Sequence, residues 1–492
     1  MERKNFENII GVTMMKKRIL ILVSFVFFGL LLVACDNNGG NDTADNNATD
    51  STVATEAGNG APETNDEEPI TLNIIGPGVF ASVTENGAID LVSGVQRPGY
   101  GEVIARWNEL HPHVTLNIDA LPWDNWQASL QTAALAGDVD VLVHAASIPD
   151  IVEPLTGFLA ADPSVNDAVS TLAWRRIADG GAFQSLTALG MSVAVNPVVV
   201  VVDMQIFEEW GVELPDVNWT LDDMLAVAEA TTGINPETGA QNYGISLLPN
   251  NNVQQNFIWA ARAMDAQSIS FGDSLLDSEI NFNNPAVHQT LDFINALYQF
   301  ASPDYIEGFD LEFTATENNN IAMYLNQSAF EEYNAIAAAG LTDRFMFLPL
   351  PNIEGGVNEG RTSSHMGDWN MTIARNSENQ DWAWEFIRFM VEDPFVQDWL
   401  VRVHQFPNNI AGLDAVRGSM SSQYFAAIEH ILTHQADNFS VQTSEWYDST
   451  TLPIIPSAVQ LALNEMFRNT MNAEEAAEAI QEAVDNHLDS LR

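Results

Sequence analysis

The chain has 492 residues, 46% of them hydrophobic, with 67 Asp and Glu against 18 Lys and Arg and a formal net charge of −49. Binding to phosphate backbones requires clustered cations that release counterions, so a field of this sign excludes nucleic acid and anionic headgroups as electrostatic partners. The length suits two or three domains of about 150–200 residues, each with a full core.

The charge is unevenly placed. All three lysines (Lys4, Lys16, Lys17) precede residue 18, and from Cys35 onward the chain carries 13 Arg, no Lys and 65 acids, a net −52. An ammonium loses its proton at strongly alkaline pH whereas a guanidinium keeps it. The balance therefore suits a saline, alkaline exterior, although compositional drift would give the same numbers.

Lys16, Lys17 and Arg18 precede residues 19–34, sixteen positions whose only polar side chain is Ser24. A membrane span needs about 20 apolar residues, so the segment reads as a secretory core with Met14 and Met15 as alternative starts. The single cysteine, Cys35, follows Ala34 directly. This resembles a bacterial lipoprotein signal, which implies cleavage after residue 34, a diacylglycerol on Cys35 and anchorage to the cell membrane. No disulfide or thiolate metal site is then left. Residues 36–69 are rich in Asn, Asp, Gly, Thr, Glu and Ala and read as a disordered tether with a reach of about 30 Å.

From Ile70 the pattern alternates. Strands are expected at 70–76, 114–120 and 140–144, with helices around 100–110 and 123–136 and a helix or turn near 148–159, an order that predicts a parallel, helix-covered sheet. Residues 192–203 contain the run Val198–Val202 and read as a buried strand. Thr220-Leu221-Asp222-Asp223 opens a helix with a capping-box pattern, Asn284-Pro285 opens another as N-cap and N1, residues 382–391 form a helix closed by Pro394, and Asn472 starts the last one. No fixed-period repeat is present.

The order and wording of these segments resemble the extracellular solute-binding proteins of ABC importers, the family that includes maltodextrin-binding protein. The likeness runs over about residues 70–492: HPHVTL at 111–116, AALAGDVDV at 133–141, DMQIFEEWG at 203–211, NWTLDDML at 218–225, INFNNP at 280–285, IAMY at 321–324, FLPLP at 347–351, AWEFI at 383–387 and PIIP at 453–456. Val202-Asp203 stands where relatives have Tyr-Asn. The resemblance implies a periplasmic-binding-protein-like α/β fold: two lobes, a hinge crossed several times and a central ligand cleft. Lobe 1 would comprise residues 70–195 and 367–412, lobe 2 residues 196–366 and 413–492.

The resemblance also implies site positions. Trp369 and Asp368 lie where the chain re-enters the first lobe through a Gly-rich strand edge, the tryptophan as a stacking platform and the acid as a hydroxyl acceptor. Phe330 falls where relatives have a Trp after Asn-Gly; His144 and Ser147 follow the third strand; Asn196 takes a hinge position that often carries a carboxylate. Trp446 and Tyr447 are added from the loop before the 453–456 segment. Trp123 and Trp126, flanking Asp124, read as packing and capping residues.

The implied ligand is a carbohydrate, an oligosaccharide by preference, because sugar sites alternate aromatic rings with polar side chains. The implied partners are ABC permease subunits, and the implied state is a monomer without metal or cofactor. An acidic cleft would also suit a polyamine, and related folds bind peptides. A glycosidase would need two carboxylates about 5–9.5 Å apart, which 65 acids supply by chance. The sequence contains no G-x-S-x-G, H-E-x-x-H, P-loop, Cys/His metal spacing or calcium-loop pattern.

Overall fold

The computed structural model describes residues 68–80, 83–89, 96–122, 126–145, 148–169, 176–179, 182–248, 253–266, 268–270, 276, 279–302, 316–326, 328–356, 358–364, 366–434 and 454–492. The chain divides into Met1–Asp66 and a compact unit, Glu67–Arg492, and all that follows concerns the second. Cys35 and the signal and tether segments up to residue 67, with Trp123, Ser147, Trp446 and Tyr447, lie outside the described residues.

Two mixed sheets form the frame. The first contains β1 (Ile70–Gly76), β2 (Val114–Ala120), β3 (Val141–Val143), β4 (Val152–Glu153) and β5 (Met191–Pro197). The second contains β6 (Val199–Asp203), β7 (Gly233–Ile234), β8 (Gln241–Ser246), β9 (Ile321–Asn326) and β10 (Phe345–Pro349), after which β11 (Met366–Ala374) and β12 (Phe406–Pro407) return to the first. Spatial order is β12-β5-β11-β3-β1-β2, with β4 beside β11, and β7-β8-β9-β6-β10.

The predicted parallel arrangement holds for β1 with β2 and β3. It fails beyond them, because β11 enters between β3 and β5 antiparallel to both, and in the second sheet only β8 and β9 run parallel. Periodicity reports local alternation, and the partners of β11 in the first sheet lie more than 150 residues away. The single strand expected over 192–203 is two strands, in different sheets, divided at Val198. Every residue from 191 to 203 is buried, so the apolar run carries no mark of where the partners change.

Other boundaries are sharper. The third helix region resolves into a 3-10 turn (Pro149–Ile151), β4 and a helix (Thr156–Ala161). The helix expected from residue 123 is described from Trp126. Pro394 both ends one helix (Gln380–Glu392) and opens the next (Pro394–Arg402), with Asp393 as its N-cap. The expected caps form: Thr220 and Asp223 make a capping box, as do Asn472 and Glu475, and Asn284 caps the backbone of Ala286 and Val287.

Two buried carboxylates pin the strands. Asp140, just before β3, accepts from Asn73 N (2.8 Å), Ser377 Oγ (2.6 Å) and Asn379 Nδ2 (3.1 Å). Asp203, fully buried at the end of β6, caps the next helix through Gln205 N and receives Arg344 through Nε and Nη2, the latter at 2.6 Å. Around the second sheet, Trp259, Phe257, Leu291 and Ile480 form one core. Around the first, Trp107, Phe386, Trp399 and Ile74 form another.

Candidate functional site

The site follows from the register. Parallel strands β1, β2 and β3 end together at Gly76, Ala120 and Val143, and the carboxyl edge of such strands is where open α/β sheets bind ligands. Antiparallel β11 starts at that edge, its Met371 opposite Val143 and its Gly367 opposite Asn196. In the second sheet β8 and β9 end at Ser246 and Asn326, and Asn326 pairs with Val199.

Pro197 and Val199 are thus the adjoining ends of two strands in two sheets. Residues 350–365 make a second passage between the same edges, since Pro349 pairs with Val199 and Met366 with Pro197. A third follows Pro407: the helix Ser422–His434 lies on β10 through Tyr424 and Phe347 (ring centroids 4.8 Å) and Gln423 Nε2 to Phe345 O (3.1 Å).

At the edge of the first sheet the rings gather. His144 adopts φ +67°, its amide donates to Asn370 O (2.6 Å), and its imidazole lies 5.0 Å from Trp126 and 5.9 Å from Trp369. Gly78, at φ +98°, makes room: a Cβ there would stand 3.1 Å from Trp369 Cε3. Trp369 Nε1 donates to Gln405 Oε1 (2.5 Å). The Asn196 carboxamide closes the group. In one orientation its Nδ2 donates to Gln405 Oε1 (3.3 Å); in the other its Oδ1 accepts from Trp369 Nε1 (3.1 Å) and its Nδ2 donates to Val195 O (3.2 Å).

The structure therefore brings Trp369, His144 and Asn196 together. Asp368 is described as a backbone position opposite Val195. Phe330 is elsewhere in character: 3% exposed on the helix Ala329–Ala338, it packs against Phe406 (5.0 Å) and His404 (5.9 Å) in a core shared by both sheets. Two residues later Glu332 is buried, and its carboxyl is pushed up to about 7 by desolvation despite a 2.6 Å bond from Tyr324 Oη. On the same helix Glu331 meets Arg97 (3.1 Å), at the end of the hairpin Ala88–Ile89/Gln96–Arg97.

Three members of the site are not expected there from the sequence. Trp126, read as packing, faces the site through His144. Gly78 is one glycine among 30. Gln405 has no motif, and the mixed stretch around it, Arg402-Val403-His404 before and Phe406-Pro407-Asn408 after, does not single it out.

The pattern of bacterial extracellular solute-binding proteins matches residues 93–395. A binding protein of Brucella abortus is 21% identical over 388 residues, 74% of this chain and 82% of that protein. The sugar-binding protein MalE of Xanthomonas citri superposes with a TM-score of 0.63 at 17% identity, over 86% of this chain and 98% of its own. Maltose-bound MalE3 of T. maritima gives 0.61 at 13% (86% and 100%), and a Thermotoga lettingae solute-binding protein holding α-D-tagatose gives 0.60 at 16% (86% and 100%). These likenesses show a shared two-lobe fold.

Proposed function

Because the chain belongs to the bacterial extracellular solute-binding proteins, we propose that it captures a carbohydrate, an oligosaccharide by preference, between its two sheets and delivers it to the membrane subunits of an ABC importer. The observation that carries this reading is the chemistry gathered at Trp369: indole and imidazole rings together with the carboxamides of Gln405 and Asn196. Sugars present apolar C–H faces to rings and hydroxyls to neutral groups that both donate and accept. A polyamine calls for paired carboxylates at that place instead.

Lobe 1 (residues 70–195 and 367–412) and lobe 2 (196–366 and 413–492) close about the three passages. Ligand held by both lobes favours the closed state by its difference in affinity for the two states, and the permease reads that state. The protein is a carrier, with no covalent step. Residues 1–34 act as a lipoprotein signal, Cys35 bears the lipid, and the segment to residue 69 tethers a monomer outside the membrane.

A thermal-shift panel of sugars, polyamines and short peptides, in saline alkaline buffer, tests this. A sugar present at 100 times its Kd adds about 2.7 kcal/mol to stability. The expected outcome is a raised Tm with an oligosaccharide such as maltotriose, lost in Trp369→Ala and without turnover. A shift confined to polyamines or peptides, or hydrolysis of the sugar, refutes the reading.

A further inference from the structure

We infer that Gln405 is a positioning residue that fixes the plane of the Trp369 ring and ties it to the hinge strand through Asn196. The inference rests on the carbohydrate reading, in which Trp369 is the platform.

The backbone of Gln405 is set by the end of the helix Pro394–Arg402. His404 takes the left-handed conformation (φ +63°), its amide donates to Val401 O (3.0 Å), and the amide of Gln405 donates to Leu400 O (2.9 Å). This is a Schellman termination with His404 at C′ and Gln405 at C″, a position that usually makes an apolar contact with the helix it ends. Here it holds a carboxamide with 3% exposure. A buried amide is costly unless it is bonded, and the oxygen of this one accepts from the indole N–H of Trp369 and, in one orientation of the Asn196 carboxamide, from Asn196 Nδ2.

The three groups come from three passages of the chain. Asn196 is next to last in β5, before the crossing at Val198; Trp369 lies just inside β11, after the 350–365 crossing; Gln405 precedes β12 and the third crossing. A rotation of the second sheet relative to the first turns about these strands. All three strands belong to the first sheet, so the network holds the ring at a constant angle to that sheet while the second rotates, and a sugar face meets a prealigned plane rather than a rotating one.

The test is a double-mutant cycle of Gln405→Met and Trp369→Phe, read by calorimetric binding of maltotriose and by the ¹H–¹⁵N spectrum of the indoles. Phe keeps a ring and removes the N–H. Each single variant is expected to weaken maltotriose about tenfold, and the double variant to bind like Trp369→Phe alone, because the glutamine acts through that N–H. The indole peak missing in Trp369→Phe should move upfield in Gln405→Met while the others stay. Additive losses, unchanged binding in Gln405→Met or an unmoved peak overturns the inference. A wild type that binds no sugar refutes the proposed function instead, and the indole peak alone then decides whether Gln405 holds the ring.

Discussion

Replacing Glu332 with Gln should remove a pH dependence that one buried carboxyl builds into this fold. Glu332 is 4% exposed and sits at about 7 rather than 4.5, because burial disfavours its ionised form; the bond from Tyr324 opposes the shift, and the adjacent Glu331 adds to it. With 1.36 kcal/mol for each tenfold change in proton affinity, folding disfavours the carboxylate by about 3 kcal/mol. The folded state binds this proton more tightly than the unfolded one. Its contribution is therefore complete below pH 4.5 and is lost as pH rises through about 7. The amide carries no charge at any of these values, and its constant cost, such as an Nε2 without an acceptor, cancels in a difference between pH values. Guanidinium unfolding of wild type and Glu332→Gln at intervals from pH 4.5 to 8.5 should give a stability difference that moves by about 3 kcal/mol in favour of the variant as pH rises. Titration of the many surface acids is common to both proteins and drops out. A difference that stays flat to within about 0.5 kcal/mol across that range would refute the reasoning, since no burial penalty would then act on this carboxyl.

Asp203→Ala strips the charge partner from a guanidinium that is 13% exposed and also removes a helix cap; a loss of about 3–5 kcal/mol is expected in denaturant unfolding. Gly78→Ala forces a left-handed φ on alanine and crowds Trp369, so it should cost about 1–3 kcal/mol of stability and weaken maltotriose binding, measured by the same unfolding curves and by calorimetry. Arg97→Ala breaks the half-exposed pair with Glu331; the expected loss is under about 1 kcal/mol in dilute buffer and disappears in molar salt, which unfolding at two ionic strengths resolves.

Much of the frame is legible in the sequence because it rests on local rules. The alternation in residues 70–76, the capping boxes at Thr220 and Asn472 and the Asn-Pro start at 284 each act within a few residues, and each forms as written. The order of short motifs from residue 111 to residue 456 supplies the family. The antiparallel insertion of β11 was not legible, nor the change of sheet at Val198, because both are set by partners far away in the chain. Within the site, Trp369 and His144 stand beside strand ends that the motifs locate. Phe330 shows the limit of position alone: without the Gly and Trp that relatives carry there, the side chain joins a core of Phe406 and Phe347. Gln405 is invisible in the sequence because its role depends on a ring 36 residues earlier.

The place of β11 also governs the order in which the molecule can be made. The second sheet has all its strands once residue 349 has been synthesised, each beside its neighbours. In the first, β5 borders only β11 and β12, so it has no partner in its own sheet until residues 366–374 and 406–407 exist. A nascent chain therefore carries a largely apolar strand, buried along its whole length in the finished fold, unpaired for some 170 residues of elongation, and such an edge invites aggregation. Folding of the finished chain, with residues 366–374 and 406–407 already present, spares this topology that interval.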